Sequence, residues 1–275
     1  MAWLKLTQKS LYLMEGNQYR KKVDLREYKG NQALDIPLEW FKEDSDLPTV
    51  VSIASHSNEA EPAAIPPSKF SGNDLASRIL RYMDNKGYQI FEGPKEYNII
   101  YVEGLNVDGS PNNDESNRFN DIRLVIEIVD NQPRIVGGPW EATTEPGDHY
   151  TDNPVNPKGA ARVQFGQYKA WQVDTHNGHH KALVQSGGEI SVCRDFDRDR
   201  IRTHDAIDTG MFWINQHHGY DYTKDNIRDA SAGCLVGRSS REHEAFMHLI
   251  EQDRRYQNDR KFVFTTTIIP GDELD

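Results

Sequence analysis

Residues 217–238 read HHGYDYTKDNIRDASAGCLVGR, and both the fold and the chemistry turn on this stretch. It opens on the pair His218-Gly219, runs through a polar loop, and closes on Ser231-Ala232-Gly233-Cys234, with Arg238 just beyond. A thiol needs a nearby base to act as a nucleophile at neutral pH, and a tight Gly turn can direct backbone N–H groups at a developing oxyanion. The stretch supplies a candidate for each part: His218 as base, Cys234 as nucleophile, and the amides from Gly233 to Leu235 as the oxyanion hole. His217 competes for the role of base. Neighbouring residues of a strand face opposite sides, so only one of the two histidines faces the thiol. A cysteine and a histidine in a chain with 10 histidines also fit a small buried apolar side chain and a structural imidazole.

Immediately downstream, Ser239 followed by Glu242 is a capping-box start, and Phe246, Leu249 and Ile250 form an apolar stripe, so a helix begins directly after the Cys turn. Upstream, from residue 97, short runs rich in β-branched and aromatic residues predict strands: YNIIYVEG, IRLVIEIV, KALVQS, ISVCR, MFWIN and FVFTTTII. Asp130-Asn131-Gln132-Pro133 reads as a hairpin turn, and residues 106–120 as a polar, mobile surface loop. Ser71 with Asp74 three residues on predicts a helix start; Leu75, Ile79, Leu80 and Met83 follow at helical spacing, and Gly87 is a stop. Residues 55–70, with three prolines, have the composition of a linker. Before them, residues 1–54 read as a small β module, from Trp3, Leu4 and Leu6, then Leu11 to Leu13, with further strands at Val23 to Leu25 and Val50 to Ile53. That module weakly resembles an SH3-like barrel; a β-extension packed on the main domain fits equally. The expected fold is thus mainly β with a few helices, divided into 1–54, the linker 55–70, and a domain over 71–275.

Composition narrows the function. Of 275 residues, 36% are hydrophobic and 27% charged, which is ordinary for a globular chain, and the mean hydropathy of −0.77 points to long solvated loops. The net charge of −11 leaves no electrostatic footprint for nucleic acid. No apolar run reaches the ~18 residues that a transmembrane helix needs. Residues 1–16 alternate apolar and polar, with neither a continuous apolar core nor a small-residue cleavage site, so no export signal is expected there and the compartment stays open. Cys193 and Cys234 make no disulfide framework; a single bridge between them would abolish a Cys234 nucleophile.

The Cys stretch resembles the catalytic domain of the L,D-transpeptidases of peptidoglycan metabolism. The likeness lies in His218-Gly219, a variable loop, then Ser231-Ala232-Gly233-Cys234-Leu235, with Cys234 sixteen residues after His218. A second similarity is Ala142-Thr143-Thr144-Glu145-Pro146-Gly147 ahead of Tyr150. By element order the resemblance covers about residues 97–269, and it implies an L,D-transpeptidase-like β-sandwich. The chain departs from the family pattern at Ala232, where a His normally stands, and at Val236, where an Arg does. Because Gly219 directly follows His218, the pattern selects His218 over His217. The resemblance implies that the Cys234 thiolate attacks an L,D-peptide bond of a stem peptide and that His218 handles the proton. A thioester then passes to an amine or to water, with no cofactor. It further implies Ser231 as a residue orienting His218 or the turn, and Arg238 and Tyr220 in substrate binding, with Trp171 as a second groove aromatic, although an aromatic in a β domain also fits the core.

Three other readings stand beside this one. Asp195, Asp197, Asp199 and Asp205 alternate as in the first half of a calcium loop, but the sixth position is Arg200 and the twelfth Ala206. Arg194, Arg198, Arg200 and Arg202 are interleaved with them, so local surface salt bridges are the expectation there, without a metal. His176, His179, His180, His204, His217 and His218 fit a zinc peptidase, although no H-E-x-x-H motif occurs. A non-catalytic wall-binding module that lost function through Ala232 and Val236 is the third.

Overall fold

The computed structural model describes residues 2–6, 10–15, 18–24, 68–202 and 204–274. The chain divides into two compact units, Met1–Ile65 and Pro66–Asp275. In the first, β1 (Ala2–Leu6), β2 (Ser10–Glu15) and β3 (Gln18–Asp24) form an antiparallel meander, with Leu6 opposite Leu11 and Glu15 opposite Gln18. The strand expected at Val50 to Ile53 and most of the expected linker lie outside the described residues.

The second unit begins with α1 (Leu75–Asn85), β4 (Asn98–Glu103), β5 (Asp121–Val129) and β6 (Gln132–Thr143). Then come α2 (Asp148–Asp152), β7 (Ala160–Val163), β8 (Gly166–His176), β9 (His180–Gln185), β10 (Ile190–Asp195) and β11 (Ala206–Gly210). It ends with β12 (Gln216–His218), β13 (Leu235–Gly237), α3 (Ser240–Ile250), α4 (Arg254–Asn258) and β14 (Phe264–Pro270). Eight strands pair in the order β12-β13-β6-β5-β4-β14-β8-β9, and a bridge between Gln216 and Leu183 closes them into a barrel. β11, β10 and β7 form a separate antiparallel sheet that shares the barrel's apolar core through Ala161, Val163, Ile190 and Val192. The fold is therefore mainly β with a minority of helix, and its two packed sheets include one that closes on itself.

Burial explains why β4 and β5 read as nearly continuous apolar runs. Ile99, Tyr101 and Val125 face the barrel core with Trp171, Leu183 and Leu235. Ile100, Val102, Ile122, Leu124 and Ile126 face outward and are covered by Ile79, Leu80 and Met83 of α1. A strand covered on both faces has no polar alternation to show. Each such side chain contributes about 1.5–3 kcal/mol on burial. The α1 start lies three residues later than Ser71 suggested: Asp74 is the cap, accepting from the Ser77 amide at 3.1 Å, because its carboxylate reaches the first-turn N–H groups. Gly87 follows the helix at φ +69°, as expected of a stop. Asp130 and Asn131 (φ +54° and +60°) make the two-residue turn between β5 and β6.

MFWIN is not a strand. Trp213 has φ +59°, which breaks an extended run, and the amides of Phe212 and Ile214 donate to the Gln185 side chain instead of to a neighbouring strand. The strand here is β12, immediately downstream. The loop at 106–120 is polar but anchored: Phe119 is fully buried, and Asn117 donates to Asp148. Helix α3 starts as expected, with the Ser239 hydroxyl accepting from Glu242 N–H, and inserts Phe246, Met247 and Ile250 into the barrel core.

Candidate active site

β12 and β13 run parallel, with Gln216 opposite Leu235, His217 opposite Val236 and His218 opposite Gly237. The chain between them, residues 219–234, carries Ile227 and Ala230 into a small outer cluster with Phe119, Val236 and Cys234. Ser231 shapes the turn that ends this loop. Its buried hydroxyl donates to the Cys234 carbonyl at 2.9 Å and accepts from Gly233 N–H at 3.1 Å. Gly233 has φ +127°, and a Cβ there would stand 2.6 Å from the Ala161 carbonyl of β7. Only glycine fits this backbone. Gly233→Ala is expected to destabilise the domain by about 1–3 kcal/mol and to displace the thiol; urea unfolding, read alongside labelling of Cys234, checks both.

Cys234 is a free, partly exposed thiol; Cys193 is free and buried in β10. The Cys234 sulfur accepts from Asn215 N–H at 3.4 Å and lies 4.0 Å from the Trp213 carbonyl. Burial pushes the thiol up to about 11, against which the Asn215 N–H works in the stabilising direction. Among the described residues, no histidine nitrogen is within hydrogen-bond distance of this sulfur.

The strand register bears on the two candidate bases. Cys234 and Val236 pack into the same outer cluster, and Val236 is the partner of His217. His217 therefore stands on the thiol's face of the sheet, and His218, opposite Gly237, on the other. His217 Nδ1 must carry a proton, because it lies 2.8 Å from the His218 carbonyl. That leaves Nε2 as its lone pair. In His218 the assignment reverses: Nδ1 accepts from Tyr220 N–H at 3.1 Å. Burial, with the His176 ring second, pushes His217 down to about 3. His217 stacks on His176 with ring centroids 4.0 Å apart, and His218 lies 4.0 Å from His180. His243 of α3 closes the cluster from below, 5.9 Å from His218. It accepts from Arg123 Nη1 at Nδ1 (3.1 Å) and donates from Nε2 to the Lys181 carbonyl (2.9 Å), so its proton is fixed at Nε2. A cavity of about 670 Å³ opens beside His218, walled by His180, Lys181, Ser240, His243 and His248; Cys234 is not in its wall.

The two segments that carry the family resemblance meet in space. Ala142 and Thr143 pair with Gly237 and Val236, and Gly147 N–H donates to the Ser231 carbonyl at 2.9 Å. Beneath them lies a buried ionic cluster. Arg162, fully buried, pairs with Glu145 and approaches Asp195 at 3.7 Å; Arg202 pairs with Glu103; Asp121 accepts from Gly104 N–H and from Thr144. Burial, then the neighbouring Glu103 and Glu145, holds Asp121 well above the usual carboxylate range.

Other expected site residues fall as follows. Tyr220 is exposed at φ +55°, its ring 4.9 Å from that of His218. Arg238 is held by Glu141 and by the Tyr222 carbonyl, so its fork is already engaged by a carboxylate of the chain. Ala232 is exposed, which leaves room for a larger side chain there. Trp171 lines no groove: it is fully buried, and its indole donates to the Ile214 carbonyl at 2.8 Å. Of the histidines of the zinc reading, His176, His180, His217 and His218 cluster, but among the described residues no three of their nitrogens lie within 4.8 Å of one another. The local salt bridges expected around Asp195–Asp205 are not what the interleaved arginines make. Arg194 pairs with Asp208, Arg200 with Asp148 and Asp152, and Arg202 with Glu103. Each side chain is long enough to reach a carboxylate on a neighbouring element, and at Asp208 Arg194 shares that carboxylate with Lys158. His243, Arg123 and Asn215 were not anticipated in the site.

No family model matches the chain, and no curated protein or solved structure matches it.

Proposed function

We propose that this protein is a cysteine acyl-transfer enzyme, with Cys234 as nucleophile, acting on peptidoglycan stem peptides by transfer to an amine or to water. The observation that supports it is the Cys234 turn. A partly exposed thiol stands on a glycine-only bend fixed by Ser231, with a backbone N–H aimed at the sulfur and a histidine pair on the adjacent parallel strand. The substrate class rests on the resemblance of residues 142–147 and 217–238 to the L,D-transpeptidases, two segments that lie side by side here.

The chemistry follows from the protonation states. At rest the thiol and the imidazoles are neutral, so the proton leaves the sulfur as it attacks the carbonyl, not beforehand. Register and tautomer favour His217 as the acceptor over His218: it shares the sulfur's face, and its Nδ1–H is oriented by a backbone carbonyl, which leaves Nε2 to take the proton. Resting enzymes often hold such pairs apart until substrate closes the site. The amine leaving group takes the proton back, and the thioester passes to the acceptor.

Exposure to a carbapenem tests the reading. Intact-mass spectrometry is expected to show one covalent adduct on the wild type and none on Cys234→Ala. His217→Ala is expected to slow its formation by about 10²–10⁴-fold, the usual weight of general-base catalysis, and His218→Ala by less. An unmodified wild type, together with unchanged muropeptide processing by Cys234→Ala, would overturn the thiol mechanism.

A further inference from the structure

The loop between β10 and β11 holds an acidic group that the thiol chemistry does not use. Asp195, Asp197 and Asp199 each offer an oxygen within 4.8 Å of the other two. Acidic side chains gather on many surfaces without binding anything, but one of these three is unlike a surface acid. Asp195 is fully buried. Its Oδ2 accepts from Arg200 N–H at 3.1 Å and has Arg162 Nε at 3.7 Å; its Oδ1 has no hydrogen-bond partner. Asp205, at the far end of the loop, likewise has Oδ2 buried without a partner. Within the group of three, an orphaned oxygen on a fully buried carboxylate is costly to bury unless a cation satisfies it.

The cations that the sequence offers nearby point elsewhere. Arg194, Arg200 and Arg202 bond Asp208, Asp148 with Asp152, and Glu103 respectively, which leaves Arg162, shared with Glu145, as the guanidinium beside Asp195. The backbone is also wound for a ligand cage. Counting Asp195 as the first position, aspartates stand at the first, third and fifth, as in a calcium-binding loop. The sixth position, normally glycine for its sharp turn, is Arg200 at φ +66°, so the turn is made despite the side chain.

We infer that the Asp195–Asp205 loop binds a calcium ion through Asp195, Asp197 and Asp199. Hard carboxylate oxygens in a flexible loop suit calcium, and the lack of a bidentate glutamate at the twelfth position, which is Ala206, sets the affinity at the weak end of such sites. The loop also reaches the thiol's surroundings. Arg200 ties it to α2, and Gly147, the residue before α2, bonds Ser231.

Titration calorimetry on the full, chelator-treated chain tests the inference with calcium chloride as the probe. The expected result is one site per chain with a Kd on the order of 10⁻⁴–10⁻³ M, and an unfolding midpoint that rises with calcium by mass action. The double variant Asp197→Asn/Asp199→Asn changes only partly or fully exposed side chains, so it is expected to fold and to lose affinity by at least about tenfold. Asp130→Asn, in the exposed β5–β6 turn, is expected to bind as the wild type does. The absence of saturable binding by the wild type up to about 10 mM calcium, well above that range, overturns the proposal. So does equal affinity in the double variant, since that would mark diffuse attraction to a chain of net charge −11.

Discussion

Iodoacetamide is expected to label Cys234 about 300-fold more slowly than a free cysteine at pH 7. Only the thiolate reacts, and an unperturbed thiol with a pKa of about 8.5 is a few per cent ionised at that pH. Burial pushes Cys234 up to about 11, so its thiolate fraction at pH 7 is about 10⁻⁴. The sign is that of an acid held in its neutral form. The labelling rate should climb about tenfold per pH unit and level off only near pH 11. Peptide-level mass spectrometry across pH 6–10 resolves Cys234 from Cys193. A rate that is fast and flat between pH 6 and 9 would mean a preformed thiolate–imidazolium pair, and the concerted proton transfer proposed above would be wrong. The same profile in His217→Ala separates the roles: a base that acts only with substrate leaves the labelling of the resting thiol unchanged.

Arg162→Met should be the most damaging single substitution in the second unit, Pro66–Asp275, outside the apolar core. Arg162 is fully buried and is the cation between Glu145 and Asp195. Removing one partner of a buried pair costs about 3–5 kcal/mol, because the remaining charge stays desolvated. In a unit of this size each kcal/mol shifts the midpoint by about 2–4 °C, so a fall on the order of 10 °C is expected by calorimetry. Burial already raises Glu145, and without Arg162 that carboxyl would be driven further toward its protonated form. The loss should therefore be smaller in acid, where a neutral Glu145 needs no partner, than at pH 8. A substitution that left the midpoint unchanged at pH 8 would show that the cluster contributes nothing to folding.

The parts of this molecule legible in the sequence are those whose cause is local. Ser239 and Glu242 announce α3 because a cap and the first turn it serves lie within four residues. The Asp130-Asn131 turn is readable for the same reason. Strands β7, β12 and β13 have three or four residues each, too few to display any period, and their existence depends on partners far along the chain. MFWIN misleads because its composition suits a strand, while a distant side chain, Gln185, takes its amides. The arginines between Asp195 and Asp205 mislead in the same way. Arg202 finds its carboxylate at Glu103, 99 residues away, and no local rule sees that distance. His243 was within reach of pattern reading. It precedes Phe246 by three residues and Ile250 by seven, on the buried stripe of α3.

The choice between His217 and His218 shows where motif and geometry part. The motif counts residues to Gly219 and selects His218. The register counts faces and puts His217 on the side of Val236 and Cys234. A family pattern records which residues recur, whereas strand pairing records which side chains can meet, and only the second bears directly on proton transfer.

The parallel pairing of β12 with β13 has a consequence for the sixteen residues, 219–234, that join the two strands and end on Cys234. Two antiparallel strands can be joined by a two-residue hairpin, but parallel neighbours oblige the chain to travel back the length of the sheet before starting again, which takes about a dozen residues or more. That stretch is thus a length of return path, laid over the outside of the barrel, and not a measure of how near the His218 and Cys234 side chains are. Extra residues can bulge from such a path into solvent. Removing several would pull Ser231 and Gly233 off their anchor points before it moved either strand.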